Sequence, residues 1–268
     1  MYFNDEYFTS VIDGLKKLDE VDAVVLGGSR STGESDAKSD YDIYVYCSAE
    51  LSPEKKGDVL KPFCSVTEID NYYWESEDNC VLNNGVSIDV IYRRFEMITG
   101  YLKYVVDENI AFNGYTTCFL HNIINSKILF DKSGKFTELQ KKYSAEYPEK
   151  LGQNIITKNR KLLSGVLPSY DMQIKKAAQR NDLVSVHHRI TEFLASYFDI
   201  IFALNRLTHP GEKRLVSLCK KHCSILPENF EENINALLAS VTKGNSYDII
   251  CDMVAEIDKI IQQDKAKV

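Results

Sequence analysis

The sequence predicts a two-part α+β chain: a mixed sheet with helices over residues 1–130, then an all-α helical bundle over residues 131–268. Three observations predict it. Short β-branched runs bounded by Gly and Asn turn signals occur only up to about Tyr92. Beyond that point apolar residues recur at helical spacing, punctuated by Pro148, Pro168, Pro210 and Pro227. Charge divides as well: residues 1–130 carry 11 Lys and Arg against 22 Asp and Glu, whereas 131–268 carry 21 against 17.

The elements follow in order. Tyr7, Phe8, Val11, Ile12, Leu15 and Leu18 form a helical stripe over 6–18. Residues 21–26 are a β-branched run that ends in Gly27-Gly28. Residues 41–47 read as a second strand and 63–69 as a third. Asn83-Asn84-Gly85 is a hairpin-turn signal leading into a strand over 86–92. Helical stripes then occupy 138–147, 151–163, 171–179, 182–207, 213–222, 231–241 and 247–261. The polar stretch 131–135, Asp-Lys-Ser-Gly-Lys, marks the expected join.

Composition narrows the class. The 268 residues are 44% hydrophobic and 26% charged, the balance of an ordinary globular protein. The most apolar window, 190–204, is interrupted by Glu192, Ser196 and Asp199, so no bilayer span and no membrane partner are expected. The start, Met1-Tyr2-Phe3-Asn4-Asp5-Glu6, has no basic region, so no secretory leader is expected. Seven cysteines, an odd number, read as reduced thiols and a cytoplasmic location. The net charge of −7, concentrated in the first part, suits metal ions or a cationic small substrate. It argues against a duplex nucleic acid partner, which needs a basic stripe. Oligomeric state is not legible in the sequence.

The chemistry concentrates between Leu26 and Val45. An apolar strand ends in Gly27, Gly28 and Ser29, and ten residues separate Ser29 from Asp40. Asp40 and Asp42 stand one residue apart at the entry to the next strand, so both side chains project to one side. Two carboxylates on one face are costly unless a cation sits between them. Gly27 and Gly28 permit a close backbone approach whose N–H groups suit phosphate. Ser29 adds a hydroxyl, and Arg30 is placed to contact phosphate or to cap the loop. An anion cradle beside a dicarboxylate describes a site for a metal-chelated nucleoside triphosphate.

Asp89 is the third acid, set among β-formers in Ser87-Ile88-Asp89-Val90-Ile91. An ionised group in a buried strand costs several kcal/mol without a positive partner. If this strand neighbours 41–47, Asp89 joins Asp40 and Asp42 around a metal. Two metal ions there can activate an attacking hydroxyl and neutralise a leaving pyrophosphate, with in-line displacement at the α-phosphorus. Taken singly, Asp40 and Asp42 also suit a turn pair, and Asp89 a salt bridge to Arg93 or Arg94; neither alternative explains all three acids together.

Gly28-Ser29, ten residues, Asp40-x-Asp42 and a later isolated Asp89 resemble the DNA polymerase beta-like nucleotidyltransferase superfamily. The stretch is most similar to its bacterial branch of aminoglycoside and lincosamide nucleotidyltransferases, which carry a C-terminal helical domain, and to minimal nucleotidyltransferases of toxin–antitoxin pairs. The resemblance covers residues 21–92. It implies an enzyme that transfers a nucleoside monophosphate from an NTP, with ATP the expected donor, to a hydroxyl of a small, antibiotic-like acceptor. It further implies two Mg2+ ions on Asp40 and Asp42, Asp89 on the catalytic one, and β/γ-phosphates held by Gly28 and Ser29. Alternatives are nucleotidylation of a protein or RNA, or a non-catalytic nucleotide-binding regulator.

Several further groups carry both a functional and a plainer reading. Lys213 and Arg214, read in a first helical turn where cations oppose the helix dipole, hint at a nearby anion, so Lys213 joins Gly27, Gly28, Ser29 and Arg30 as a nucleotide-binding candidate. Cys219 and Cys223 share a helix face but lack the four ligands of a structural zinc site, so buried thiols are expected. Arg180 and His187 resemble the Arg-x6-His spacing of HEPN ribonucleases, a spacing that helices also produce by chance. Glu75, Glu77 and Asp78 are candidates for a separate general base. Tyr72, Tyr73 and Trp74 suit core packing or a stacking surface.

Overall fold

The computed structural model describes residues 5–33 and 39–265; the leader reading at Met1-Tyr2-Phe3-Asn4 lies outside them. The chain enters through α1 (Glu6–Leu15), whose N-terminal N–H groups at Tyr7 and Phe8 donate to the Asp5 carboxylate at 3.1 Å. The helix buries Phe8, Val11, Ile12 and Leu15, the stripe that its apolar spacing predicts.

Six strands form one sheet: β1 (Val21–Leu26), β2 (Tyr41–Cys47), β3 (Cys64–Asn71), β4 (Ser76–Leu82), β5 (Ser87–Arg94) and β6 (Lys127–Asp131). Their order is β3-β4-β5-β2-β1-β6, with β2 and β5 parallel and the other neighbours antiparallel. Alternation divides the two faces. Tyr41, Ile43, Val45 and Cys47 of β2, with Ile88 and Val90 of β5, pack in one core with the buried face of α1. Asp42, Tyr44, Tyr46, Asp89, Ile91 and Arg93 belong to the opposite face, where the chemistry sits.

Helices α2 (Gly28–Thr32), α3 (Pro53–Leu60), α4 (Phe95–Leu102), α5 (Cys118–Asn125) and α6 (Lys135–Ser144) connect or flank the strands. The strands expected at 21–26 and 41–47 form over those residues, and those at 63–69 and 86–92 form with shifted ends. Two strands have no counterpart in the sequence reading. In β4 the core-facing set is Asp78, Cys80 and Leu82, and the charged member breaks the apolar alternation. Asp78 is fully buried, accepting from the Tyr92 hydroxyl and the Asp70 N–H at 2.7 Å each, with the buried Lys56 ammonium 4.0 Å away. The five-residue β6 interrupts a region read as helical, because pairing with β1 supplies the hydrogen bonds that its own sequence does not advertise.

The chain forms two compact units that alternate along the sequence. The first takes Met1–Lys103 and Asn122–Glu146, the second Tyr104–His121 and Tyr147–Val268. The stretch 131–135, where β6 passes into α6, therefore lies inside the first unit.

The second unit contains α7 (Glu149–Leu163), α8 (Tyr170–Gln179), α9 (Leu183–Leu204), α10 (Leu215–His222), α11 (Phe230–Ala239) and α12 (Ser246–Lys265). Helix α9 is its centre: every residue from Ala195 to Leu204 is buried, as expected of a helix surrounded by others. Asp199 lies in that stretch and accepts from the Thr116 N–H at 3.2 Å, the Thr116 hydroxyl at 2.7 Å and the Asn159 amide at 3.3 Å. Burial pushes its carboxyl up to about 7, against the pull of the Thr116 and Asn159 donors.

Candidate active site

The site begins where β1 ends. The Gly27 N–H donates to the Asp42 carbonyl at 2.8 Å, extending the β1–β2 ladder by one rung. Gly28 then turns with φ +60°, a left-handed conformation that L side chains rarely adopt. A Cβ on Gly28 would fall 2.7 Å from Asp42 Cγ and overlap Oδ2. A Cβ on Gly27 would lie 2.5 Å from the Tyr44 ring. The two glycines therefore make room for the side chains of β2, and Gly27 has no N–H left for a phosphate. Gly27 thus enters the expected backbone cradle with its N–H already engaged, while Gly28 and Ser29 open α2.

Arg30 serves the backbone. Its Nε donates to the carbonyls of Ser39 at 2.9 Å and Asp40 at 3.1 Å, and Nη2 to Ser39 at 2.5 Å. The guanidinium carbon stands 4.1 Å over the centre of the Tyr41 ring. Arg30 thus ties down the segment that presents Asp40 and Asp42, which fits the loop-capping alternative rather than a phosphate contact.

The acids are placed by register. Asp42 on β2 pairs with Asp89 on the parallel β5, so the two carboxylates are neighbours on one face, with the strands about 4.8 Å apart. Asp40 is exposed, two residues ahead of Asp42 and just outside the strand. Asp89 pairs in turn with Asn79 on β4, whose amide donates to Asp89 Oδ1 at 2.9 Å while accepting from the Asn71 amide at 2.8 Å. Nothing in the sequence marks Asn79 or its strand; only the position opposite Asp89 reveals it.

Farther along this face, Arg93 stacks on Tyr44, 4.4 Å from ring centre to guanidinium carbon. It grips Glu75 with Nε at 2.7 Å and Nη2 at 2.6 Å, and Nη1 donates to Asn122 Oδ1 at 3.2 Å. Of the three acids considered as a base, Glu75 is committed to Arg93, and Asp78 lies on the core side. Glu77, in register with Ile91, shares the face of Asp89. Partial burial and the neighbouring Asp89 and Glu75 carboxylates push Glu77 above the ordinary range.

Among the described residues no three His, Cys, Asp or Glu side chains gather closely enough to hold a metal ion together. The donor chemistry nevertheless fits magnesium: carboxylate oxygens from adjacent strands, a third acid at the strand entry, and a glycine that leaves Asp42 its space.

The remaining candidates lie elsewhere. Lys213 is in the second unit, exposed in the turn before α10, so the first-turn placement is not realised. Arg180 ends α8 and His187 sits on α9, so their spacing is not one helical face. Cys219 is buried and Cys223 half-buried, both free thiols. Tyr72, Tyr73 and Trp74 are exposed rather than in the core, Trp74 by 90%.

Residues 9–110 match the sequence profile of the nucleotidyltransferase domain. The chain carries a nucleotidyltransferase domain. That match supports nucleotidyl transfer as the activity of this domain, in line with the resemblance carried by Gly28-Ser29 and Asp40-x-Asp42. Residues 115–215 match a domain of unknown function, DUF4037. No curated protein matches the chain. Among solved structures it is similar to a nucleotidyltransferase-like protein from Exiguobacterium sibiricum 255-15, with 10% identity, TM-score 0.46, and 96% of this chain and 74% of that one covered. It is also similar to an aminoglycoside 6-adenyltransferase from Bacillus subtilis, with 9% identity, TM-score 0.30, and 97% and 92% covered. A third is the Thermotoga maritima CCA-adding enzyme complexed with tRNA, with 13% identity, TM-score 0.31, and 98% and 83% covered. No helix among the described residues is long and apolar enough to cross a membrane.

Proposed function

We propose that this nucleotidyltransferase transfers a nucleoside monophosphate from an NTP, with ATP the expected donor, to a hydroxyl of a small cationic, antibiotic-like acceptor. Asp40, Asp42 and Asp89 would hold two Mg2+ ions, which when bound neutralise the triphosphate and lower the pKa of the acceptor hydroxyl. Gly28 and Ser29 would receive the β/γ-phosphates. In the reaction the acceptor oxygen bonds to the α-phosphorus and the bond from that phosphorus to the bridging oxygen of the β-phosphate breaks. Pyrophosphate leaves with the electron pair, and the hydroxyl proton departs toward the carboxylates of the site face. Nucleotide binding belongs to the first unit and acceptor recognition to the helical one. A cytoplasmic location fits the reduced cysteines.

The observation that carries this reading is the Asp42–Asp89 register beside Gly28. The acidity of residues 1–130 favours a cationic acceptor. The test is pyrophosphate release from each NTP with magnesium, against a panel of aminoglycosides and lincosamides, with the acceptor weighed by mass spectrometry. Release that requires a co-expressed protein or RNA instead would move the acceptor to a macromolecule. NTP binding without release under any condition would leave a regulator.

A further inference from the structure

The Asn122 side chain closes a relay that no site assignment above includes. Arg93 can only donate, so the Asn122 atom that faces its Nη1 at 3.2 Å must be the carbonyl Oδ1. That choice fixes the other end of the amide. Nδ2 points at Gly27, 3.1 Å from where a Cβ on that residue would stand. Arg93 is itself immobilised by the two-pronged grip on Glu75 and by the Tyr44 ring, which fills the rest of the Gly27 side-chain space. Among the described residues no group accepts from Nδ2.

An oriented donor therefore stands beside the glycine turn, where two expected phosphate donors are already spent. The Gly27 N–H is bonded to the Asp42 carbonyl, and Arg30 Nε and Nη2 serve Ser39 and Asp40. Asn122 comes from α5, outside the nucleotidyltransferase match and inside the DUF4037 match, yet it belongs to the first unit.

The geometry points to Asn122 as a triphosphate-binding residue: its amide donates to a phosphate oxygen of the nucleotide, held in position by Arg93 and Glu75. The assignment rests on the proposed nucleotide site at Gly28 and Ser29.

Asn122→Asp separates this role from a structural one. The substituted carboxylate keeps an acceptor for Arg93 and improves it by charge, while removing the donor and placing negative charge toward the phosphates. A purely structural Asn122 predicts an unchanged or higher melting temperature and wild-type ligand affinity. The phosphate role predicts the same melting behaviour, with affinity for a non-hydrolysable NTP and for inorganic tripolyphosphate lowered on the order of tenfold to a hundredfold. Nucleoside affinity should not move. Asn122→Ala, assayed in parallel, should lose affinity for both phosphate ligands by a smaller factor, and it decides by the same criterion if Asn122→Asp does not fold. Wild-type tripolyphosphate affinity in a folded variant overturns the assignment, as does a loss confined to the nucleoside. A wild-type protein that binds neither phosphate ligand overturns the nucleotide site itself, and Asn122 with it. Normal wild-type binding with an unaffected variant removes Asn122 alone.

Discussion

Replacing Gly28 with alanine tests the union of backbone and chemistry at the site. The residue holds φ +60°, which costs an L-residue roughly 1–2 kcal/mol. At about 2–4 °C per kcal/mol for a chain of this size, Gly28→Ala should lower the melting temperature by roughly 2–8 °C. The added Cβ also falls 2.7 Å from Asp42 Cγ, so the carboxylate must leave its present position beside Asp89. Displacing a charged ligand should weaken magnesium-dependent NTP binding by about tenfold or more. The two effects separate in a cycle with Asp42→Ala. There the alanine methyl meets no carboxylate, so Gly28→Ala retains its backbone cost while its binding cost disappears. Isothermal titration with a non-hydrolysable NTP, with and without magnesium, reads the affinities, and calorimetry reads the stability. Wild-type NTP affinity in Gly28→Ala would falsify the placement of Asp42 at the metal.

Other substitutions probe separate parts of the molecule. Asp89→Asn should reduce turnover far more than NTP affinity in steady-state pyrophosphate assays; the reverse ranking makes Asp89 a structural acid. Lys56→Met should destabilise the first unit by about 3–5 kcal/mol in urea unfolding, because it strands the buried Asp78 and leaves Asp70 without its 2.7 Å partner; a loss below 1 kcal/mol would show that the ammonium contributes little. Asp199 gives a pH signature. Its folded pKa, about 7, lies above the unfolded value near 3.9, so the folded state holds the extra proton between them. Stability should therefore fall as pH rises from about 4 to 7 and level off above that. Asp199→Asn should flatten that slope in melting curves, and an unchanged slope would assign it to other groups.

Much of the first unit was legible because its signals are local. The β-branched run of β1 ends at a glycine pair, β2 starts between Asp40 and Asp42, and both strands form over the residues expected. Asp89 stood out as a charge among β-formers, and its strand does lie beside β2. The failures share a cause: they depend on partners remote in sequence. β4 hides behind a buried Asp78, whose companions Lys56, Asp70 and Tyr92 come from three other segments. β6 is recognisable only by its pairing with β1. Arg30 reads equally as a phosphate contact or a loop cap, and only the folded chain brings its guanidinium onto the Ser39 carbonyl. Asn122 carries no motif at all; Gly27 and Arg93, far earlier in the chain, give it direction.

The parallel pairing of β2 with β5 has a consequence for how errors are rejected. Slipping one strand by a single residue would bring Ile88 or Val90 into line with Asp42 and turn Asp89 inward, opposite Ile43 or Tyr41, toward the α1 side chains. The misaligned chain would strand a carboxylate in oil and leave greasy side chains in water, so it cannot persist as a slightly impaired enzyme. Apolar residues on the far side of the sheet thereby proofread the position of the acid proposed for the metal site.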